Sequence, residues 1–309
     1  MYYWLQHFDL SRYAQGVSVP TLNRNTFRDV QVSVPPIEEQ RAIADVLDQC
    51  WDCFTTEGAA EKLAFELKRS SMRELFARGL SGEPRQDTEL GSIPRSWKST
   101  RIAEVATKLQ YGLSVRGQPK GQYPILRMNC QQDGEVIFRD LQYVDLDAKV
   151  FTAFKLDSGD LLFNRTNSIE HVGRTAIFKG ARDAVFASYL IRLAVDAERC
   201  RPAYLNYYMN MPSAQAEIKK LASRAVGQAN INASKLRTFA FPLPLSVEEQ
   251  DKIVSVLEAI DRKINLHREK RALLEDLFKV LRHNLMTGEI SVSDLDLSAL
   301  ESKSEAVAA

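Results

Sequence analysis

Between residues 253 and 285 the apolar positions recur at alternating spacings of four and three. They run Ile253, Leu257, Ile260, Ile264, then His267 and Arg271, then Leu274, Phe278, Leu281 and Leu285. This is the seam of a coiled-coil helix, and only its two middle positions are polar. The pattern predicts a helix over 248–288, because Glu248 and Glu249 suit the exposed N–H groups of a first turn and Gly288 suits the end. About 40 residues at about 1.5 Å each span roughly 60 Å, as much a spacer as a core element. A second helix is predicted over 38–79, beginning in the same register with Ile43, Leu47, Cys50 and Phe54. There the seam falters at Gly58, and apolar positions resume in another register at Leu63, Leu67, Met72, Leu75 and Phe76. A long apolar seam has to be covered, and each helix is the only partner of its kind for the other, so an antiparallel pair is expected.

The two helices open on one repeated segment. Val34-Pro35-Pro36-Ile37-Glu38-Glu39-Gln40, followed by Ile43, Val46 and Leu47, returns as Leu243-Pro244-Leu245-Ser246-Val247-Glu248-Glu249-Gln250, followed by Ile253, Val256 and Leu257. Upstream, Gly16, Leu22-Asn23, Phe27 and Val32 correspond with short gaps to Gly227, Ile231-Asn232, Leu236 and Phe241. The chain therefore carries two copies of one unit.

Between the helices lies a region of mixed strand and helix pattern, the α+β fold class. Strand-like runs are Tyr123–Met128, Asp160–Asn164 and Ala184–Arg192; helices are expected over Arg201–Met211 and Pro212–Ser223, ahead of a polar loop from Arg224 to Ala233. This gives a first helix at 38–79, a linker at 80–89, a mixed domain at 90–247, a second helix at 248–288 and an acidic tail at 289–309 expected to be disordered.

Net charge adds a location to this plan. The whole chain of 309 residues has 41 basic and 40 acidic side chains, yet residues 90–244 carry 22 Lys/Arg against 13 Asp/Glu, whereas residues 245–309 carry 9 against 13. An excess of positive charge confined to one domain marks that domain as a candidate for binding a polyanion. The longest apolar run, Ala184 to Ile191, is too short to span a bilayer, and the start has no basic stretch followed by an apolar one, so a cytoplasmic protein is expected.

Four sets of residues then carry a family resemblance: the two Glu-Glu-Gln segments; Glu89-Leu90-Gly91-Ser92-Ile93-Pro94 with Trp97; Gly159-Asp160-Leu161-Leu162-Phe163-Asn164-Arg165; and Leu285-Met286-Thr287-Gly288. Together they make the chain resemble the DNA-specificity subunit of type I restriction and modification systems over most of its length. The resemblance implies a target-recognition domain at 90–247 that reads one half of a split double-stranded DNA site. It implies two spacer helices that dock modification (methyltransferase) subunits and, through them, the restriction subunit. It also implies that residues 1–37 are the C-terminal part of a first recognition domain most of which is absent, since Tyr2-Tyr3-Trp4-Leu5 resembles the helix at Tyr204–Met209. A chain of this plan is expected either to be incompetent alone, a single copy binding one half-site poorly, or to depend on self-association as a homodimer that imitates a complete subunit.

Candidate DNA contacts sit at or near strand ends of the basic domain. Arg127, Asn129, Asn164, Arg165, Asn167 and Arg174 have the forked groups that recognise guanine and adenine edges; Lys108 and Lys120 suit phosphates, and Arg116 joins them as a candidate. The competing reading is support of turns by hydrogen bonds. The Gly227–Asn232 loop recurs at Gly16–Asn23, so it cannot discriminate sequences, and capping of the following segment is the favoured role. Cys50 and Cys53 have redox or zinc-like spacing but no second pair, and Cys50 falls on the seam, so ordinary core cysteine is favoured. No phosphate-binding glycine loop or HExxH segment occurs. No catalytic residue, cofactor or metal is therefore expected. Two alternatives remain: a metal-dependent nuclease built on Asp157, Asp160 and Glu170, and a coiled-coil scaffold that binds no DNA or a defective remnant.

Overall fold

The structure is a computed structural model that describes residues 2–8, 10–15, 21–22, 25, 31–32, 34–225 and 227–296. Gly16, Asn23 and Phe27 of the upstream repeat lie outside the described residues, as does the tail from 297 onward. The chain divides into two compact units, one of residues 1–65 with 262–309 and the other of residues 66–261. Two helices dominate the element order, Ile37–Arg78 and Val247–Thr287, and part of each belongs to each unit.

In the first unit the helices run antiparallel. The Cys50 thiol meets the Leu274 carbonyl at 3.8 Å, and further along His267 pairs with Glu57 at 2.5 Å and Arg268 with Glu61 at 2.8 Å. One end is apolar: Ile43, Val46, Leu47 and Cys50 pack with Phe278 and Leu285, and Tyr3, Leu281 and Ile290 lie against them. Burial raises the Cys50 thiol pKa, and Cys50 and Cys53 are both free thiols. Gly288, with φ of +73°, ends the second helix. The start of the expected disordered tail is instead ordered. Asp294 accepts the Ser291 N–H and the Ser291 hydroxyl accepts the Ser293 N–H, capping a 3-10 turn at Val292–Asp294, and Val292 and Leu295 pack on the apolar end.

The middle of this pair is polar, and here the expected register of the first helix needs correcting. Leu63 and Leu67 are 65% and 51% exposed, while Ala64 is buried. The inward positions continue the original spacing through Phe54, Glu57, Glu61 and Ala64. The seam does not break; charged and small residues fill it. Arg271 stacks on Phe54 and Arg268 on Phe65, with guanidinium carbons 4.9 and 4.8 Å from the ring centres. His267 and then Lys270 hold the Glu57 carboxyl below the usual carboxylate range.

The second unit has a six-stranded sheet in the spatial order Ala106–Tyr111, Leu190–Val195, Leu161–Asn164, Thr175–Ile177, Glu135–Val136 and Gln131–Gln132. A three-stranded sheet joins Gln142–Val144, Tyr123–Leu126 and Val185–Phe186. The apolar run Ala184–Arg192, expected as one strand, is therefore two strands in two sheets, parted by a turn at Ser188–Tyr189. The segment 80–89, expected as a linker, contributes Arg85–Thr88 to a hairpin with Gly91–Pro94. The main core lies on one face of the larger sheet. It takes in Phe163, Ile191 and Leu193, the helices Pro202–Met209 and Pro212–Lys220, and Met72, Phe76, Ile253 and Leu257 from the long helices. Ile253 and Leu257 thus serve the domain core, while Ile264, Phe278 and Leu285 are buried in the first unit and Ile260, Leu274 and Leu281 are half-buried.

The Glu-Glu-Gln segment explains how the second helix leaves this domain. Gln250 is fully buried: its amide donates to the carbonyls of Arg199 (3.0 Å) and Pro244 (2.9 Å) and accepts from the Arg201 N–H at 2.7 Å. Glu249 accepts from the Trp97 indole at 3.1 Å. Its counterpart in the first copy is simpler, for among the described residues Gln40 donates only to the Pro35 carbonyl at 2.8 Å, and it is half-buried. Gln250→Ala would leave three backbone groups without partners, at about 1–3 kcal/mol each before relaxation. We expect a loss of roughly 2–4 kcal/mol in urea unfolding of the full chain, against under about 1 kcal/mol for Gln40→Ala. Equal losses at the two positions would contradict this assignment.

Candidate nucleic-acid interface

On the core side of the six-stranded sheet, apolar packing gives way to a polar cluster where the strands Ala106–Tyr111 and Leu161–Asn164 end. Arg165 is its centre. One Nη donates to the Ser188 carbonyl and the other to Asn230 Oδ1, both at 3.3 Å, while the guanidinium stacks 4.8 Å from the Tyr111 ring centre. The Arg165 main chain donates to Tyr189 and accepts from Ile231. Asn230 also donates to the Thr166 hydroxyl at 2.7 Å. Thr166 and Asn167 pair with Asn230 and Ala229, so the segment expected as a polar loop is in fact a hairpin of Ser223–Ala225 and Gln228–Asn230. Gly227 turns it at φ of +75°. Asn232 then caps the next helix, accepting the Lys235 N–H at 2.8 Å, which agrees with the capping role read from the sequence.

The candidate residues do not form one patch. Asn164 is only 1% exposed, its side chain inside the strand Leu161–Asn164, and this burial removes it from any surface. Arg127 is half-buried and donates to the Asp140 carbonyl at 2.7 Å, which ties down its own loop. Asn167 donates to Met128 Sδ and accepts the Ser168 N–H, placing it near the exposed Asn129. Lys108 alternates with Tyr111 along its strand and so faces away from the Arg165 cluster. Arg116 and Lys120 flank Gln118, whose main chain bridges Tyr143 at the edge of the three-stranded sheet. Lys108, Arg116, Lys120 and Arg174 are exposed, and none has a side-chain bond or ion pair among the described residues.

Sequence reasoning missed Tyr111, Tyr189 and Asn230. The two tyrosines are 42% and 48% exposed despite neighbouring core strands, and the signal available was the Ser188-Tyr189 interruption of an apolar run.

The acidic residues considered for metal chemistry have another employment. Asp160 and Asp157 both meet Arg192 at 2.7 Å, and that arginine also donates to the Lys155 carbonyl at 2.9 Å. Arg192 and Asp160 are a buried pair, while Glu170 is exposed. Among the described residues no cluster of three metal-binding side chains occurs. Nor is any described helix long and apolar enough to cross a membrane.

Comparison with known proteins fits this architecture. The family model for the type I restriction modification DNA specificity domain matches residues 1–64 and 94–276. A Methanocaldococcus jannaschii protein described as the specificity subunit of the type I restriction enzyme MjaX is 30% identical over 202 residues, which is 62% of this chain and 47% of that one. The EcoKI specificity subunit of Escherichia coli K12 is 26% identical over 258 residues, 81% of this chain and 55% of that one. The chain thus spans about half the length of these two relatives. In fold, the crystal structure of a type I system S subunit from M. genitalium matches with a TM-score of 0.61 at 13% identity, covering 92% of this chain and 71% of that one. With two long helices, a mixed recognition-type domain and a family match over most of its residues, the chain belongs to the type I restriction and modification DNA specificity family.

Proposed function

We propose that this chain is a non-catalytic DNA-binding specificity subunit of a type I restriction-modification complex acting in the cytoplasm. Residues 90–247 form the target-recognition domain and read one half of a bipartite double-stranded DNA site; residues 1–37 belong to the counterpart domain of the other half. The helix pair docks modification subunits and, through them, the restriction subunit. No cofactor takes part. The observation that carries the DNA reading is the set of exposed, unpaired cations Lys108, Arg116, Lys120 and Arg174 on a domain with a strong basic excess. Asn129, Arg127, Arg165 and Asn167 complete the candidate contacts, the last three through segments they hold in place.

Docking is supported by a second stripe on the second helix. Leu266, Leu273, Leu277 and Val280 are 50%, 69%, 48% and 56% exposed at spacings of seven, four and three, so one heptad face has no partner among the described residues of the unit. Because the two repeats share one plan, two copies related by a two-fold axis would also present two recognition domains to a palindromic split site.

For DNA, the affinity of the full chain for a mixed-sequence duplex should fall with salt, and Lys108→Ala with Lys120→Ala should reduce the slope by about one or two units if both meet phosphate. An unchanged slope would remove these two lysines from the interface, and salt-independent binding would sink the DNA reading. For docking, Leu273→Asp or Leu277→Asp should abolish co-purification with the modification subunit while leaving the thermal midpoint near the parent's, since both side chains are exposed already. Recovery of the subunit at normal yield would count against this face. Light scattering at tens of micromolar tests the homodimer, which a monomer in the presence of modification subunit would exclude.

A further inference from the structure

The cation at the centre of the polar cluster is not among the free ones, and its bonds give it a different task. We propose that Arg165 is a positioning residue: through Asn230 it sets the 223–230 hairpin against bound DNA, without touching phosphate or base itself. This rests on the DNA-binding reading and adds to it a residue that acts through another.

The geometry leaves Arg165 little to offer a ligand. Both Nη atoms are engaged by oxygens, the guanidinium lies over Tyr111, and its buried Nε has no partner among the described residues. Tyr111 is itself held, because its hydroxyl accepts the Ala233 N–H at 2.9 Å. What Arg165 does control is the outer part of a hairpin. Among the described residues its ladder to the rest of the domain is Thr166 with Asn230 and Asn167 with Ala229, continued by the Ile231 N–H on the Arg165 carbonyl, and Ala229 is buried in the main core. Lys235 adds a bond to the Ser223 hydroxyl at 2.8 Å. So short a ladder restrains a hairpin weakly. Asn230 is where the restraint concentrates, with its oxygen on Arg165 and its nitrogen on Thr166.

Beyond that anchor the hairpin is open. A side chain added at Gly227 would meet nothing within 4 Å, and Ser223 and Gln228 are exposed. Ser223 and Gln228 carry hydroxyl and amide groups of the kind that bind DNA backbone. The Gly227–Asn232 segment also recurs at Gly16–Asn23, and a segment common to both halves suits the part of DNA that is the same in every sequence.

The test compares Arg165→Lys, Arg165→Ala, Asn230→Ala and the Arg165→Ala/Asn230→Ala double variant in the full chain, binding a mixed-sequence duplex over a salt series. Each single change should weaken binding about tenfold, and the double change no more than either alone, because one anchor is lost in every case. Lysine should fail to rescue, since it keeps the charge and lacks the two-pronged fork. Arg165→Ala and uncharged Asn230→Ala should share one salt slope. Hydrogen exchange should quicken at 223–230 and not in the sheet, with the thermal midpoint unchanged. A phosphate contact would show instead as rescue by lysine, additive losses and a slope lower by about 0.9 for Arg165→Ala alone; that result overturns the proposal. Exchange raised across the whole domain, with a lowered midpoint, also overturns it, by reducing Arg165 to general fold support. If Arg165→Ala does not fold, Arg165→Lys against Asn230→Ala carries the same comparison. Lack of salt-dependent binding by the unaltered chain sinks the DNA reading itself, an outcome unlike either pattern.

Discussion

The arrangement of the second unit depends on a neutral amide with every hydrogen-bonding group in use. Gln250 stands in the first turn of a 41-residue helix and bonds three backbone groups: Arg199 and Arg201 just ahead of the Pro202–Met209 helix, and Pro244 at the end of a core strand. Full burial favours glutamine here, because a carboxylate would have to shed its water and could not donate to two carbonyls. Its neighbour Glu249 is only half-buried and accepts the Trp97 indole N–H. Together they anchor the first turn of this helix to the core of the second unit. Tyr207 and Lys68, both on Asp261 at 2.7 and 2.6 Å, extend that hold along the same helix.

The helix pair in the first unit divides its work between apolar and charged stretches. Packing of Leu47 and Phe278 supplies burial at one end, but apolar contacts alone tolerate sliding by a heptad. Glu57 and Glu61 facing His267, Arg268 and Arg271 do not, since a slip would leave half-buried charges without partners. This polar stretch therefore fixes the register of the pair. The exposed Leu273 and Leu277 lie on the same helix, on a face that none of the described residues covers.

In the basic domain, the engaged and the exposed cations take separate parts. Arg127, Arg165 and Arg192 are spent on backbone carbonyls, an amide, an aromatic face and two aspartates. The fork of the guanidinium makes it a good internal brace. Lys108, Lys120, Arg116 and Arg174 remain in water, where cations attract a polyanion at little cost. The basic excess along the chain therefore overstates the number of residues free to meet DNA.

The sequence alone determined the two long helices, their antiparallel pairing, the mixed domain between them and the family, because heptad spacing and a repeated Glu-Glu-Gln segment are local, periodic signals. It did not determine which residues fill the middle of the first helix's seam. Glu57, Glu61 and Ala64 look like surface or filler until His267 and Arg268 arrive from about 200 residues away to complete them. The same holds for the interface. Asn164 and Arg165 are adjacent in a strand-end motif that reads as two candidate contacts, yet strand alternation buries the first and turns the second toward Tyr111 and Asn230. Whether a polar side chain reads DNA or braces the fold depends on what stands opposite it across a sheet, and only the folded chain brings that neighbour there.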